Sequence, residues 1–267
     1  MNIGNYIKKY SEDLRLKNYS ENTIENYCSQ VKCFLENFNT IATKPSEISE
    51  KKIKQWLLQA KSINGRKHRL SAVKLFYKLT GKQPLKFKNI EYPRSERKLP
   101  KVINKEFLLD RISNIENLKH KAIISIAYSC GLRVSEVCNL LIKDIDSVNN
   151  IIYIRQAKGK KDRIVPLSET ILLLLRKYFK EFKPKEYLFN GQFEPRYSER
   201  SCNQIVKKYL GKEYHFHLLR HSNATALLES GTDISLIQKL LGHNSPKTTQ
   251  MYTHVSSQLI NRIQTPI

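Results

Sequence analysis

His217, Arg220, His243 and Tyr252 fall in order within the stretch from His215 to Val255, and their types suggest a single piece of chemistry. A tyrosine hydroxyl is a nucleophile, an imidazole carries a proton or donates a hydrogen bond, and a guanidinium is a permanent positive charge. Singly, each has an ordinary structural reading. A histidine near a helix start is usually a cap or a surface group, and a tyrosine, in a chain that has 14 of them, is usually half-buried packing.

The surrounding pattern must position these groups. Leu218, Leu219, Ala224, Leu227 and Leu228 recur at helical spacing, so His217 and Arg220, three apart, project from nearly the same side of one helix. Gly231 ends that helix. A second helix is predicted from Asp233 to Leu241, stopping at Gly242-His243, and Ser245-Pro246 opens a third that carries Tyr252.

Composition points to the partner. Lysine and arginine number 47 against 24 aspartates and glutamates, a formal charge of +23. Such an excess favours a polyanion, because each neutralised phosphate releases counterions. The basic residues are spread along the chain, with no long uncharged apolar run and no apolar signal core at the N-terminus, so a cytoplasmic protein with no membrane partner is expected. Five cysteines without a Cys-x-x-Cys pair read as reduced, packed thiols. His217 and His221 have the i, i+4 spacing of a metal-binding helix. The central glutamate of a zinc protease is missing, however, and Arg220 would set a cation beside the ion, so no metal or other cofactor is expected.

Taken together, His217-x-Leu219-Arg220, Leu241-Gly242-His243 and Tyr252 followed by Thr253-His254 resemble the catalytic box of the tyrosine recombinases, the phage integrase and Xer-like family. Gly131-Leu132-Arg133-x-x-Glu136 resembles that family's first arginine box. Lys158, before Gly159 and ahead of Arg163-Ile164-Val165-Pro166, resembles its hairpin lysine; by spacing alone Lys158, Lys160 and Lys161 are equal. The resemblance implies that Tyr252 attacks a DNA phosphate to give a 3′-phosphotyrosine and that Lys158 protonates the leaving 5′-oxygen. It also implies that Arg133 and Arg220 clamp the phosphate, His217 acts in acid-base catalysis, and His243 donates a hydrogen bond. Glu136, three residues from Arg133, is placed to orient that guanidinium.

Along the chain, residues 1–80 read as a helical domain with helices from Ile3 to about Leu16, after Ser20, from Ser49 to Gln59, and from Asn64-Gly65 to Leu79. Arg66, Lys67, Arg69 and Lys74 on the last of these are candidates for DNA contact, as are Lys160 and Arg163 in the later hairpin; a basic helical face is also often just a solvated one. Residues 81–103, punctuated by Pro84, Pro93 and Pro100, read as a linker. Residues 104–267 form the second domain, with helices from Lys105 to Ile112, Asn117 to Ser129, Glu169 to Phe179 and Ser198 to Leu210, and a hairpin of strands Ile151 to Arg155 and Arg163 to Pro166. Val255, Leu259, Ile260 and Ile263 share one face of a short C-terminal helix that must dock on protein.

The fold class expected is therefore mainly α. By resemblance it comprises a four-helix SAM-like core-binding domain and a helical catalytic domain with a small β-hairpin sheet. The expected activity is site-specific recombination without metal or ATP. The expected partner is double-stranded DNA with paired recognition sites, gripped by a homo-tetramer that is monomeric in free solution; the C-terminal tail packs on its own domain or, as the resemblance implies, docks on a neighbouring protomer. Two other readings use the same features: a type IB-like topoisomerase, and a regulator that only binds DNA.

Overall fold

Serine and asparagine side chains start most of the helices. The computed structural model describes residues 1–94, 101–155, 162–243 and 245–254, the side chains of Leu85, Lys247, Thr253 and His254 excepted. In it Asn2, Ser20, Ser49 and Ser62 accept first-turn backbone N–H groups of α1 (Ile3–Leu16), α2 (Glu21–Phe38), α3 (Glu50–Leu58) and α4 (Ile63–Leu79). The chain divides into two units, Met1–Arg97 and Lys98–Ile267.

In the first unit each helix turns its periodic apolar stripe inward. Phe34 meets Trp56 and Tyr77 edge-on, with ring centroids 5.1 and 6.1 Å apart. The buried Tyr10 and Tyr77 hydroxyls donate to the carbonyls of Ala72 and Pro45, so neither is left unsatisfied. The segment expected to be linker from residue 81 stays on this unit as far as Ile90. A 3-10 turn, Pro84–Phe87, brings Phe87 into the core and Ile90 follows it, because both side chains are large and apolar.

The second unit is built round α6 (Leu118–Ser129), which buries Ala122 through Ala127 on every face and packs against α8 (Glu169–Phe182) and α10 (His217–Glu229). Such all-round burial is the mark of a central helix. Around it lie α5 (Lys105–Ser113), α7 (Val134–Asn139) and α9 (Glu199–Leu210), while α11 (Ile234–Leu241) packs on α10. Its sheet is antiparallel in the order β1 (Ile145–Asp146), β2 (Ile151–Ile154), β3 (Arg163–Pro166), with Ile154 opposite Arg163. The first strand, two residues long, carries too little alternation to be seen in sequence. Ile152, Ile154 and Val165 point into the core.

The helix expected to carry Tyr252 is shorter than its pattern suggested. α12 runs from Pro246 to Gln250, and Tyr252 lies in the 3-10 turn Met251–His254 that follows. Lys158, Lys160 and the C-terminal face from Val255 to Ile263 lie outside the described residues. Among the described residues no helix is long and apolar enough to cross a membrane, and no group of His, Cys, Asp and Glu is arranged to hold a metal ion.

Candidate active site

The C-terminus of α11 gathers the site. Helix ends leave carbonyls without intrahelical partners and carry the negative end of the helix dipole, so cations settle there. Three successive carbonyls each receive one guanidinium. Leu240 accepts from Arg163 Nε at 2.7 Å, Leu241 from Arg220 Nη2, and Gly242 from Arg133 Nη2 at 3.0 Å. Gly242 takes the left-handed conformation (φ 63°) that turns the chain out of the helix, and a Cβ there would press on Arg163 Cδ at 3.1 Å.

Arg133 and Glu136 belong to the first turn of α7. The Glu136 carboxylate accepts from the Arg133 backbone N–H at 2.8 Å and from its Nη1 at 2.7 Å. It also receives both Nη atoms of Arg163, at 2.8 and 2.7 Å. Burial alone would raise the Glu136 pKa; hydrogen bonds and charge from Arg163 and Arg133 overcome that and hold it at about 2. Arg163, expected to reach DNA, is instead turned inward with only 8% of its side chain exposed, because a carboxylate and a helix end together satisfy its whole fork.

Arg220 is 1% exposed, and its Nη1 donates to the Gly131 carbonyl at 2.7 Å. Gly131 (φ 61°) permits this approach. Any Cβ at that position would lie 2.5 Å from Asn223 Oδ1 and 2.6 Å from Leu241 Cδ2. Both Nη bonds of Arg220 thus end on neutral carbonyls. Burial and the nearby Arg133 lower its pKa to about 9, which leaves it charged at neutral pH. Three guanidinium groups therefore face one carboxylate, an excess of positive charge in a largely buried place.

One turn of α10 presents His217 and His221, whose rings meet edge-on 4.5 Å apart. The Tyr252 hydroxyl bonds to His221 Nδ1 at 2.8 Å, and the ring is buried with Ala224, Ile237 and Leu241. His243 stacks on Tyr252 with centroids 6.4 Å apart, and its Nδ1 pairs with Thr249 Oγ1 at 2.9 Å. Burial, then neighbouring cations and imidazoles, lower the pKa of His221 and of His243 to about 4, and lower that of His217. Burial raises the Tyr252 pKa while Arg220 and Arg133 oppose it.

The second unit thus brings together Arg133, Glu136, His217, Arg220, His243 and Tyr252. Two further residues enter that sequence reasoning assigned elsewhere, Arg163 and His221. His221 carries a signal in the sequence, the i, i+4 spacing from His217, but that spacing is shared with metal-binding helices. On α4 of the first unit, Arg69 lies over the Trp56 ring (4.6 Å) and donates to the Trp56 carbonyl at 3.1 Å, so its guanidinium is engaged internally. Lys74 lies 5.5 Å from the Tyr92 ring, and Arg66 and Lys67 are half-buried.

Comparison with known proteins identifies the family. The phage integrase family profile matches residues 102–258, and the profile of the phage integrase N-terminal SAM-like domain matches residues 6–86. The tyrosine recombinase XerA of Pyrococcus horikoshii is 33% identical over 261 residues, covering 94% of this chain and 90% of that protein. The tyrosine recombinase XerC of Bacillus subtilis is 28% identical, covering 97% and 94%. A crystal structure of the XerH site-specific recombinase bound to a palindromic difH substrate aligns with a TM-score of 0.76 at 26% identity, over 92% of this chain and 80% of that one. With the arginine cradle, the paired histidines and the buried tyrosine in one site, and both profiles matched in order, the chain belongs to the phage integrase family of tyrosine recombinases.

Proposed function

We propose that the chain closes on duplex DNA at paired recognition sites, as a tetramer assembled from monomers in the cytoplasm, and exchanges strands through a 3′-phosphotyrosine. The observation that carries this reading is the uncompensated positive charge of the cradle: Arg133 and Arg220 beside a buried tyrosine, with Glu136 balancing only one of three guanidinium groups. A trigonal-bipyramidal phosphorane spreads negative charge over its non-bridging oxygens, and two planar forks fixed in advance stabilise it without reorganisation. Tyr252 Oη forms the bond to phosphorus as the bond to the 5′-oxygen breaks. His243 donates a hydrogen bond to the phosphate, His217 serves proton transfer, and Lys158 supplies the proton that the 5′-oxygen takes away. Ester energy is kept in the phosphotyrosine, so rejoining needs neither ATP nor metal. In this proposal the first domain, 1–80 with Arg66, Lys67 and Lys74, contributes to gripping the duplex, 81–103 joins it, and 104–267 cleaves.

The test begins with DNA trapped covalently on the chain in its host, sequenced to define the site. A nicked duplex of that site should form an adduct with the native chain, mapping to Tyr252. Tyr252→Phe should abolish the adduct and leave binding nearly intact, since no charge is removed. Normal adduct yield from that variant would overturn the assignment. Lys158→Ala should cleave ordinary DNA poorly and recover on a duplex with sulfur at the bridging 5′ position, because a thiolate leaves without a proton. Rescue of Lys160→Ala or Lys161→Ala instead would move the acid to that residue.

A further inference from the structure

His221 holds the reacting atom of the proposed nucleophile. The Tyr252 hydroxyl is 2.8 Å from His221 Nδ1, and the rings lie 5.6 Å apart at 55°. His217 meets His221 edge-on, so His221 contacts both His217 and the tyrosine. From this contact we infer that His221, in place of His217, is the catalytic residue that accepts the Tyr252 proton as the phenolic oxygen attacks. The inference rests on Tyr252 being the nucleophile.

The geometry sets the proton's path. With its own proton on Nε2, the His221 ring offers the Nδ1 lone pair, and the tyrosine O–H donates to it. In the step, the Oη–H bond breaks and the proton passes to Nδ1, the Oη–phosphorus bond forms, and the phosphorus–O5′ bond breaks with the 5′-oxygen taking a proton from Lys158. On rejoining, the imidazolium returns its proton to Tyr252. Burial, with His217, Arg220 and His215 facing it, keeps the His221 ring neutral in the free protein. A phosphate bound beside Arg220 offsets its charge and raises the basicity of His221 at the moment a base is needed. Arg220 and His221 are adjacent on α10, so one helix sets the phosphate clamp and the proton acceptor in register.

The experiment measures single-turnover cleavage of the nicked duplex by the native chain, His221→Ala and His221→Gln, with and without added imidazole. We expect His221→Ala to cleave about 100-fold more slowly or worse, with binding unchanged. The loss should be the same on the duplex with sulfur at the bridging 5′ position, because the defect concerns the nucleophile and not the leaving group. Imidazole should restore the rate of His221→Ala, and His221→Gln, which accepts a hydrogen bond but no proton, should be as slow. Native rates in both variants overturn the inference, as does rescue by sulfur. A fast His221→Gln reduces His221 to a positioning group and also overturns it, and that variant decides the matter if His221→Ala fails to fold. If instead the native chain forms no adduct at Tyr252, the underlying reading fails, and the two failures are distinct.

Discussion

The arginine cradle and the tyrosine that faces it are held in different ways. In the cradle, Arg133, Arg163 and Arg220 each bond to a main-chain carbonyl at the end of α11, and Glu136, 7% exposed, accepts from two of them. Tyr252 lies on a helix of one and a half turns and a 3-10 turn, in a small cluster with Ala224, Ile237 and Leu241, its hydroxyl on His221. Fixed charge has to wait in its final geometry to stabilise a transition state, and many rigid bonds achieve that. A nucleophile must fire and withdraw, and few contacts suit it. On the proposed function, the difference separates preorganised electrostatics from a nucleophile held by fewer polar contacts.

The largest blow to that comparison is Glu136→Ala. It removes the partner of two buried guanidinium groups, so unfolding by urea should show a loss of about 3–5 kcal/mol, with adduct formation abolished. A loss confined to activity would mean that the carboxylate orients without stabilising. Ile237→Ala attacks the other side. It opens a cavity under Tyr252 and should cost about 2–5 kcal/mol. Hydrogen exchange should quicken across residues 246–254 while α6 and α7 stay protected. Equal quickening in both regions would erase the distinction drawn here.

Acid should separate the two regions more gently. His221 and His243 have pKa values near 4 against an ordinary 6.5, so between those values the unfolded chain binds more protons. Their contribution is whole above pH 6.5 and is lost as pH falls towards 4. Glu136, near 2 against 4.5, contributes fully above pH 4.5 and loses its share, on the order of 3 kcal/mol, only as pH falls towards 2. Hydrogen exchange followed separately at residues 246–254 and at α6 and α7 as pH falls should show the Tyr252 side weakening first. Parallel weakening of both regions across pH 3–7 would count against separate anchoring.

By itself the sequence determined the elements and the residue types. Apolar periodicity and small polar caps located the main helices, because helix geometry and capping act over a few neighbouring residues, and the resemblance of the boxes holding Arg133, His217, Arg220, His243 and Tyr252 to those of the tyrosine recombinases marked the candidate site. Tertiary structure decided what each charge touches. Arg163 looked like a groove contact in a basic hairpin, yet strand register sets it opposite Ile154 and beside Glu136, a partner 27 residues away. Arg69 looked like part of a basic face, yet it packs on Trp56. His221 looked like a metal-ligand candidate, yet the fold brings Tyr252, 31 residues on, to its Nδ1. Local spacing settles which side of a helix a group occupies, but the partner it meets depends on chain segments remote in sequence, and only their packing supplies it.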